Sequence, residues 1–309
     1  MKLRNSFGNL SLYISLVGAS LIFSHTLLAS NDTQPAVSLN EQASMDLLVQ
    51  PSQIELKLYA LECGLVQVNN LAIFNPYIPK STRMDLPSPC FLIQHPEKGY
   101  LLWDAGLNDA LIKYQEGVEY FNGEMILKVN KTLSSQLLSL GLKNTDIDFF
   151  SPSHLHLDHG GNANDYAEST LIVQKVEYDT AFSEHAAQYG MLIENHHKLK
   201  DAKRIELKGD YDVFGDGSVV VLSTPGHSPG HQSLFVKLDK TGPILLSGDL
   251  YHFQQNRDEY GMPIFNDKKM TIQSFAKVDK ILDKTGAKLW IQHDPVFNES
   301  LLKSPLFYQ

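Results

Sequence analysis

The sequence predicts an α+β fold in which two β-sheets are sandwiched between helices. Short apolar runs rich in β-branched and aromatic residues recur along the chain, and segments with helical spacing separate them. Several of these runs end in a turn that carries a histidine or an aspartate, a pattern that favours packed sheets with helices outside them. The 309 residues, of which 43% are hydrophobic and 20% charged, are enough for one substantial core.

The first 30 residues differ from the rest in the order of charge and hydropathy. Lys2 and Arg4 precede the apolar run 10–23, and Ala29 and Ser30 come just before a polar stretch. This is the order of a secretory signal peptide, so we expect a periplasmic or secreted protein with no stable membrane span after cleavage. An uncleaved anchor stays open as the alternative, although the run is shorter than the ~20 residues that a spanning helix needs.

The remaining chain is predicted to comprise an N-terminal arm over 31–52 and one domain over 53–309. The net charge of −9 argues against a nucleic-acid partner, because such a surface cannot neutralise a phosphate backbone. Cys63 and Cys90 each lie in a strand-like run. They could pair in an exported protein or remain buried as small hydrophobes, and the sequence leaves both open.

The elements follow in order along the domain. The first strands are predicted over 54–61, 90–94 and 100–103, with a hairpin turn at 95–99. The proline-rich segment 75–89 predicts a long loop rather than a strand. A helix over 132–140 is stopped by Gly141. The later predictions are strands over 147–151, 170–174, 218–223, 233–238, 244–247 and 288–292, and a helix over 271–284.

The strongest chemical signal is the segment 154–161, which reads His-Leu-His-Leu-Asp-His-Gly-Gly. It follows a predicted strand, so one tight turn carries four candidate metal ligands: His154, His156, Asp158 and His159. Imidazole nitrogen and carboxylate oxygen are the donors that zinc takes in catalytic sites. Three more such side chains follow apolar runs further along, namely His227, Asp249 and His293. Together they are enough for two ions.

These motifs, with Asp104 in the segment 101–106, resemble the five ordered motifs of the metallo-β-lactamase superfamily over about residues 54–296. The resemblance implies a four-layer αββα sandwich that holds two zinc ions, or other divalent metals, at one edge. It implies that His154, His156 and His227 hold one ion and that Asp158, His159 and His293 hold the other. Asp249 would bridge the two ions, and Asp104 would orient a metal-bound histidine.

Within the superfamily the chain is most similar to the N-acyl homoserine lactonases, in the segments 61–64, 90–96 and 104–107 and in the proline-rich loop. The resemblance implies a small-molecule lactone or ester substrate whose ring is opened by metal-bound hydroxide, because paired metal ions lower the pKa of a bridging water and polarise a carbonyl. The loop 75–89 would overhang the site. Acyl-chain length and homodimer formation stay open.

Three side chains are candidates for catalytic roles beside the metals. Asp158 would carry a proton to the departing oxygen. The lactonases often place a tyrosine three residues after the bridging aspartate, where this chain has His252 and, one residue earlier, Tyr251. Either of these two could donate a hydrogen bond to the developing oxyanion, or both could be packing residues.

Other enzymes of the same fold remain alternatives. A glyoxalase II-like thioesterase is expected to carry a basic C-terminal cluster, which this chain lacks, and a β-lactamase is disfavoured by Asp249. An iron persulfide dioxygenase shares the histidine motif and would differ by bound iron and oxygen consumption. A non-catalytic binding module is disfavoured because the chain keeps all of the expected ligands.

Overall fold

The computed structural model describes residues 33–35 and 38–309, so the predicted signal peptide lies outside the described residues. Within those ranges the strands are β1 (Thr33–Pro35), β2 (Lys57–Val68), β3 (Met84–His95), β4 (Gly99–Trp103), β5 (Val118–Tyr120), β6 (Met125–Lys128), β7 (Phe149–Ser151), β8 (Thr170–Gln174), β9 (Arg204–Leu207), β10 (Tyr211–Asp212), β11 (Val219–Ser223), β12 (Gln232–Leu238), β13 (Gly242–Leu246) and β14 (Lys288–Trp290). The α-helices are α1 (Glu41–Val49), α2 (Leu133–Ser139), α3 (Lys175–Ala181), α4 (Ile193–His196), α5 (Gln254–Glu259), α6 (Lys268–Thr285) and α7 (Pro295–Ser300). None of the helices within the described part has the length and apolar character required to cross a bilayer.

The strands form two mixed sheets. The larger has the order β1-β9-β8-β7-β4-β3-β2-β6-β5, and the smaller has the order β10-β11-β12-β13-β14. In the larger sheet β4 pairs with β7 in parallel, and in the smaller sheet β13 pairs with β14 in parallel. The carboxyl ends of each such pair therefore reach the same edge of their sheet.

A shared apolar core lies between the sheets. Phe91 and Trp103 from the larger sheet pack with Val221 and Leu246 from the smaller one, and all four are fully buried. Side chains of opposite parity on the same strands point outward, as the period of two in a strand requires. The sheets therefore stack face to face through their inner surfaces.

Helices cover both outer faces. On the larger sheet, Leu133 and Leu137 of α2 join a buried cluster with the strand residue Phe150. On the smaller sheet, Phe275 and Val278 of α6 are buried against that sheet's outward-facing side chains. The layers run helix, sheet, sheet, helix, which confirms the predicted α+β, αββα sandwich.

Most of the predicted elements in the second half of the chain are present with small changes at their ends. The main error is in the proline-rich segment 75–89, because Met84–Pro89 belongs to β3. Strand β4 pairs with β3 only from Phe91 onward, so this part of β3 has a neighbouring strand, β2, on one side only. Proline is tolerated at such an edge because it removes no hydrogen bond from a ladder.

The segment predicted as an N-terminal arm carries regular structure. Strand β1 pairs in parallel with β9 at the edge of the larger sheet. Helix α1 begins after Asn40, whose side chain accepts from the backbone N–H of Ala43 and caps the helix. Its Ser44 hydroxyl donates to buried Asp210 at 2.7 Å, so the arm is attached to the domain through specific contacts.

Candidate metal centre

The predicted ligands meet where strands from both sheets end. The segment 154–159 follows β7 of the larger sheet, whereas His227, Asp249 and His293 follow β11, β13 and β14 of the smaller sheet. Because the carboxyl ends of parallel neighbours share an edge, short turns are sufficient to bring these side chains together. The site therefore lies at the edge of the sandwich and takes ligands from both sheets.

The structure sorts the predicted ligands into two groups. In each group the ligand atoms lie within 4.8 Å of one another. The first group is His154, His156, His227 and Asp249, and the second is Asp158, His159 and His293. These are the two sets that the resemblance implied, with Asp249 counted geometrically in the first.

Asp249 lies between the two groups. Its Oδ1 is 2.9 Å from Nε2 of His159 and 2.9 Å from Nε2 of His293. Its Oδ2 is 3.2 Å from Nε2 of His227 and 3.7 Å from Nε2 of His154. One carboxylate thus offers an oxygen to each group, which is the geometry of a bridging ligand.

Hydrogen bonds fix the imidazoles of the first group. Nε2 of His156 donates to the backbone oxygen of Tyr189 at 2.7 Å, which leaves Nδ1 to face the site. Nδ1 of His227 is 3.2 Å from Oδ1 of Asn266, which leaves Nε2. These two free nitrogens are 3.0 Å apart, a separation suited to ligands of one ion.

Asp104, which is fully buried, holds a ligand of the second group in place through hydrogen bonds. Its Oδ2 lies 3.0 Å from Nδ1 of His159, and its Oδ1 accepts from the backbone N–H of Ser153 at 2.6 Å. The Ser153 hydroxyl is 3.1 Å from Nδ1 of His154. His293 is held separately, because its Nδ1 donates to the backbone oxygen of Pro87 at 2.6 Å. A carboxylate or carbonyl behind each imidazole is the usual support of a metal ligand.

The residues present fit a pair of metal cations. Nε2 of His154 is buried without a hydrogen-bond partner, and Oδ1 of Asp249 is buried with only the ring nitrogens of His159 and His293 near it. Leaving a buried polar atom without a partner costs about 1–3 kcal/mol. A cation held by each group would give these atoms a partner, and a set of imidazole and carboxylate donors is what zinc and related divalent ions take.

Burial and the neighbouring carboxylates set the charge of each ligand imidazole. Burial lowers the pKa of His154 well below its usual value and that of His156 to about 4, so both rings are neutral and able to coordinate. Burial opposes the charged form of His159 as well, but Asp249 and Asp104 raise its pKa well above the usual value. A metal at the second group therefore has to displace a proton.

Tyr251 and His252, the two candidate oxyanion donors, point to different places. Tyr251 is fully buried and stacks on Phe275 with ring centroids 4.7 Å apart, and its hydroxyl is 3.3 Å from Nη1 of Arg257. His252 is buried inside the centre, with Nε2 3.1 Å from Oδ2 of Asp249. Its Nδ1 has no hydrogen-bond partner. Of the two side chains, only His252 lies beside the ligand groups.

His231, the histidine four residues after His227, has a supporting position. Its Nε2 accepts from the backbone N–H of Asp249 at 2.9 Å, and its Nδ1 donates to the backbone oxygen of Thr224 at 2.9 Å. Burial lowers the pKa of His231 to about 3, in keeping with a neutral ring that accepts at Nε2. This ring holds the backbone of the bridging aspartate.

A buried carboxylate that the sequence analysis missed joins the two loops of the first group. Oε1 of Glu177 accepts from the backbone N–H of Leu155 at 3.0 Å. Oε2 accepts from the Ser228 hydroxyl at 2.7 Å and from the backbone N–H of Gly230 at 2.9 Å. Leu155 lies between two ligand histidines and Ser228 follows a third, so Glu177 sets the distance between the loops.

Gln292 and Asn266 are further supporting residues that sequence reasoning did not identify. Gln292 donates to Oδ2 of Asp104 at 2.9 Å and accepts from the backbone N–H of Gly248 at 2.8 Å. Its position directly before His293 was the one signal available in the sequence. Asn266 lies 39 residues from the histidine that it contacts, and nothing in its local pattern marks it.

Two sheets between helical layers, with a buried histidine and aspartate cluster at the strand ends, are the features of a metal-dependent enzyme of the αββα class. Residues 83–280 match the family model described as the Metallo-beta-lactamase superfamily. The chain belongs to this superfamily.

Its relatives span nearly the whole domain. The chain is 30% identical over 266 residues to N-acyl homoserine lactonase AttM of Azorhizobium caulinodans, which covers 82% of this chain and 99% of the relative. It is 28% identical over 247 residues to N-acyl homoserine lactonase AiiA of Bacillus thuringiensis subsp. kurstaki, with coverages of 77% and 93%. A solved N-acyl homoserine lactone hydrolase with the product N-hexanoyl-L-homoserine at its catalytic metal center superposes with a TM-score of 0.72 at 25% identity, covering 83% of this chain and all of the other.

Proposed function

We propose that this protein is a two-zinc lactonase that opens the ring of N-acyl homoserine lactones. The observation that carries the proposal is the pair of ligand groups joined by Asp249, in a chain whose relatives of nearly equal length are named as such lactonases. His154, His156 and His227 would hold one ion, and Asp158, His159 and His293 the other. When bound, the ions supply Lewis acidity toward a carbonyl and lower the pKa of water.

The chain's own residues supply the remaining chemistry. Asp158 is partly exposed, and its Oδ2 lies 3.7 Å from Nε2 of His293, on the open side of the second group. A carboxylate in that position can take a proton and deliver it to the departing ring oxygen. Because Asp158 is also a proposed ligand, its variant is assayed in excess zinc with its metal content measured. We expect Asp158→Asn to lose turnover even when both ions are bound. An Asp158→Asn protein with both ions and full activity would refute this role.

His252 is the proposed hydrogen-bond donor to the substrate oxygen. Its position supports this role, because Nε2 lies 3.1 Å from Oδ2 of the bridging Asp249, whereas the hydroxyl of Tyr251 contacts Arg257 away from the ligands. Removing one such donor typically lowers kcat about 100-fold to 1,000-fold. We expect that loss in His252→Phe, with Tyr251→Phe as the matched control that stays close to wild type. The reverse ranking would exclude His252.

An exposed aromatic ring beside the first group supports an acyl substrate. The Phe265 side chain is half exposed, and its ring centroid lies 5.4 Å from that of His227. The backbone around it is held in place, because Ile264 donates to the backbone oxygen of Ile73 at 3.1 Å and Asp267 donates to that of Gly226 at 2.8 Å. A hydrocarbon chain leaving the centre on this side can cover the ring, and apolar burial is worth about 0.8 kcal/mol per methylene.

Proton release from a panel of acyl homoserine lactones tests the function. The purified protein is loaded with zinc, its metal content is measured, and S-lactoylglutathione and a cephalosporin serve as control substrates. We expect two metals per chain and rapid opening of the lactones alone. A fully loaded protein that is inert toward every lactone would refute the proposal and leave the fold and the ligand geometry unaffected.

We also propose that the protein is exported. The order of charge, apolar run and small residues in 1–30 supports export, and so does a disulfide between Cys63 and Cys90, because such bonds persist in oxidising compartments. N-terminal sequencing of the protein from periplasmic and culture fractions should give a chain that begins near residue 31. A full-length chain confined to the cytoplasm would contradict export.

A further inference from the structure

The Cys63–Cys90 disulfide joins two strands that lead to the supports of the second ligand group. Its Cα atoms are 5.7 Å apart, and both side chains are buried, with 2% and 0% of their surface exposed. Cys63 lies in β2 at a break in the register with β3, and Cys90 lies in β3. The bond therefore fixes two strands at the point where their regular pairing is interrupted.

On the Cys63 side, the disulfide supports the turn that holds His159. The backbone oxygen of Cys63 accepts from the N–H of Leu107 at 2.9 Å. Gly106, with a positive φ of 62°, packs so closely on Cys63 that any side chain there would collide with it. The same turn presents Asp104 to Nδ1 of His159, and its Ala105 N–H donates to the backbone oxygen of His159 at 2.6 Å.

On the Cys90 side, the disulfide supports the strand that holds His293. Pro87, three residues before Cys90 in β3, provides the backbone oxygen that accepts from Nδ1 of His293 at 2.6 Å. The disulfide thus joins the strand next to the turn that supports His159 to the strand that supports His293, about 10 Å of extended chain beyond Cys90. In the first group, His156 and His227 have separate supports at Tyr189 and Asn266, and only His154 is linked to the same turn, through Ser153 and Asp104.

We propose that the Cys63–Cys90 disulfide is a positioning element for the second metal ion. It fixes the separation between the turn 104–107 and Pro87, and with it the angle between the rings of His159 and His293. Loss of the disulfide should lower the affinity of the second group for its ion, and the first group should keep its ion. This inference rests on the proposed two-ion site.

The test is metal affinity in Cys63→Ala/Cys90→Ala, measured by chelator competition and by ¹¹³Cd NMR of the loaded protein. In wild type we expect one resonance from each ligand group. His293→Ala, which removes a ligand of the second group, identifies the resonance of that group, and Asn266→Ala identifies that of the first. In the double alanine variant the second ion should bind roughly 10–100-fold more weakly, as is typical when the support of a ligand is lost.

A general loss of stability is the competing explanation. Ile281→Ala removes a buried side chain of α6 on the far side of the smaller sheet and serves as the control. The proposal is overturned if this control lowers the affinity for the second ion to the same extent. It is also overturned if the double alanine variant lowers the affinities for both ions equally, or lowers neither. A wild-type protein that binds only one ion would instead refute the two-ion site.

If the double variant does not fold, the wild-type holoenzyme is treated with a phosphine that reduces the disulfide to two thiols. Release of the two ions to a chelator is then followed over time. Preferential release of the second ion supports the proposal. Simultaneous release of both ions, or release at the rate of the untreated protein despite complete reduction, overturns it.

Discussion

Glu177 provides a direct test of how the first ligand group is held. Its two oxygens accept three hydrogen bonds, from Leu155, Ser228 and Gly230, and the residue is 1% exposed. Replacing Glu177 with glutamine keeps the shape and turns one oxygen into a donor. At least one of the two backbone N–H groups then faces another N–H.

The expected cost follows from these contacts. Hydrogen bonds to a charged acceptor contribute about 1.5–3 kcal/mol each, neutral ones about 0.5–1.5, and an unsatisfied buried donor costs about 1–3 kcal/mol. Burial raises the pKa of Glu177, so removal of the charge recovers part of this loss. We expect Glu177→Gln to lower the free energy of unfolding by roughly 2–4 kcal/mol.

The Glu177→Gln substitution should also change the distance between the two ligand loops. We expect the affinity of the first group for its ion to fall about 10–100-fold, whereas the second group keeps its affinity. Urea unfolding of the metal-free protein gives the stability, and chelator competition gives the two affinities. Glu184 has an exposed side chain, so Glu184→Gln is the control. Unchanged stability and affinity in Glu177→Gln would refute the reasoning.

Three further outcomes are expected. Asp104→Asn replaces the acceptor behind His159, so the second ion should bind about 10–100-fold more weakly by chelator competition, and equal binding would exclude this support. His231 has a folded pKa of about 3, below the unfolded value of about 6.5, so its stabilising contribution is present above pH ~6.5 and is lost as the pH falls toward 3. Urea midpoints of metal-free protein should therefore fall more steeply with acid in wild type than in His231→Asn. Phe265→Ala should raise KM for a twelve-carbon acyl lactone roughly 10-fold and leave a four-carbon one nearly unchanged, because only the longer chain covers the ring; equal effects on both chains would contradict this.

Those parts of the fold that have a regular hydrophobic pattern were predictable from the sequence. Strand β8 was predicted with its observed bounds, and α2 begins after its cap Thr132 and ends before Gly141, as expected. The proline-rich part of β3 was not predictable, because whether a proline is tolerated depends on which neighbouring strand is absent. Helix α1 was missed because its stabilisation comes from contacts with distant residues, such as Asp210.

The same division applies to the site. The ligands have side chains that bind metals at recognisable spacings, so the segment 154–159 indicated its chemistry directly. The supporting residues have no such pattern, since Glu177 and Asn266 act through contacts made only after folding. The different positions of the Tyr251 and His252 side chains were also not predictable, because neighbouring residues outside regular strands can point in any direction.

The distribution of ligands between the sheets has a consequence for the thermal stability of the protein. His154, His156, Asp158 and His159 follow a strand of one sheet, and His227, Asp249 and His293 follow strands of the other. Each ion would therefore be a cross-link between the two halves of the sandwich. A ligand that binds only the folded chain stabilises it by about 2.7 kcal/mol at a free concentration 100 times its Kd. The melting temperature of this protein should consequently rise with the free zinc concentration of its surroundings and fall when the metal is removed.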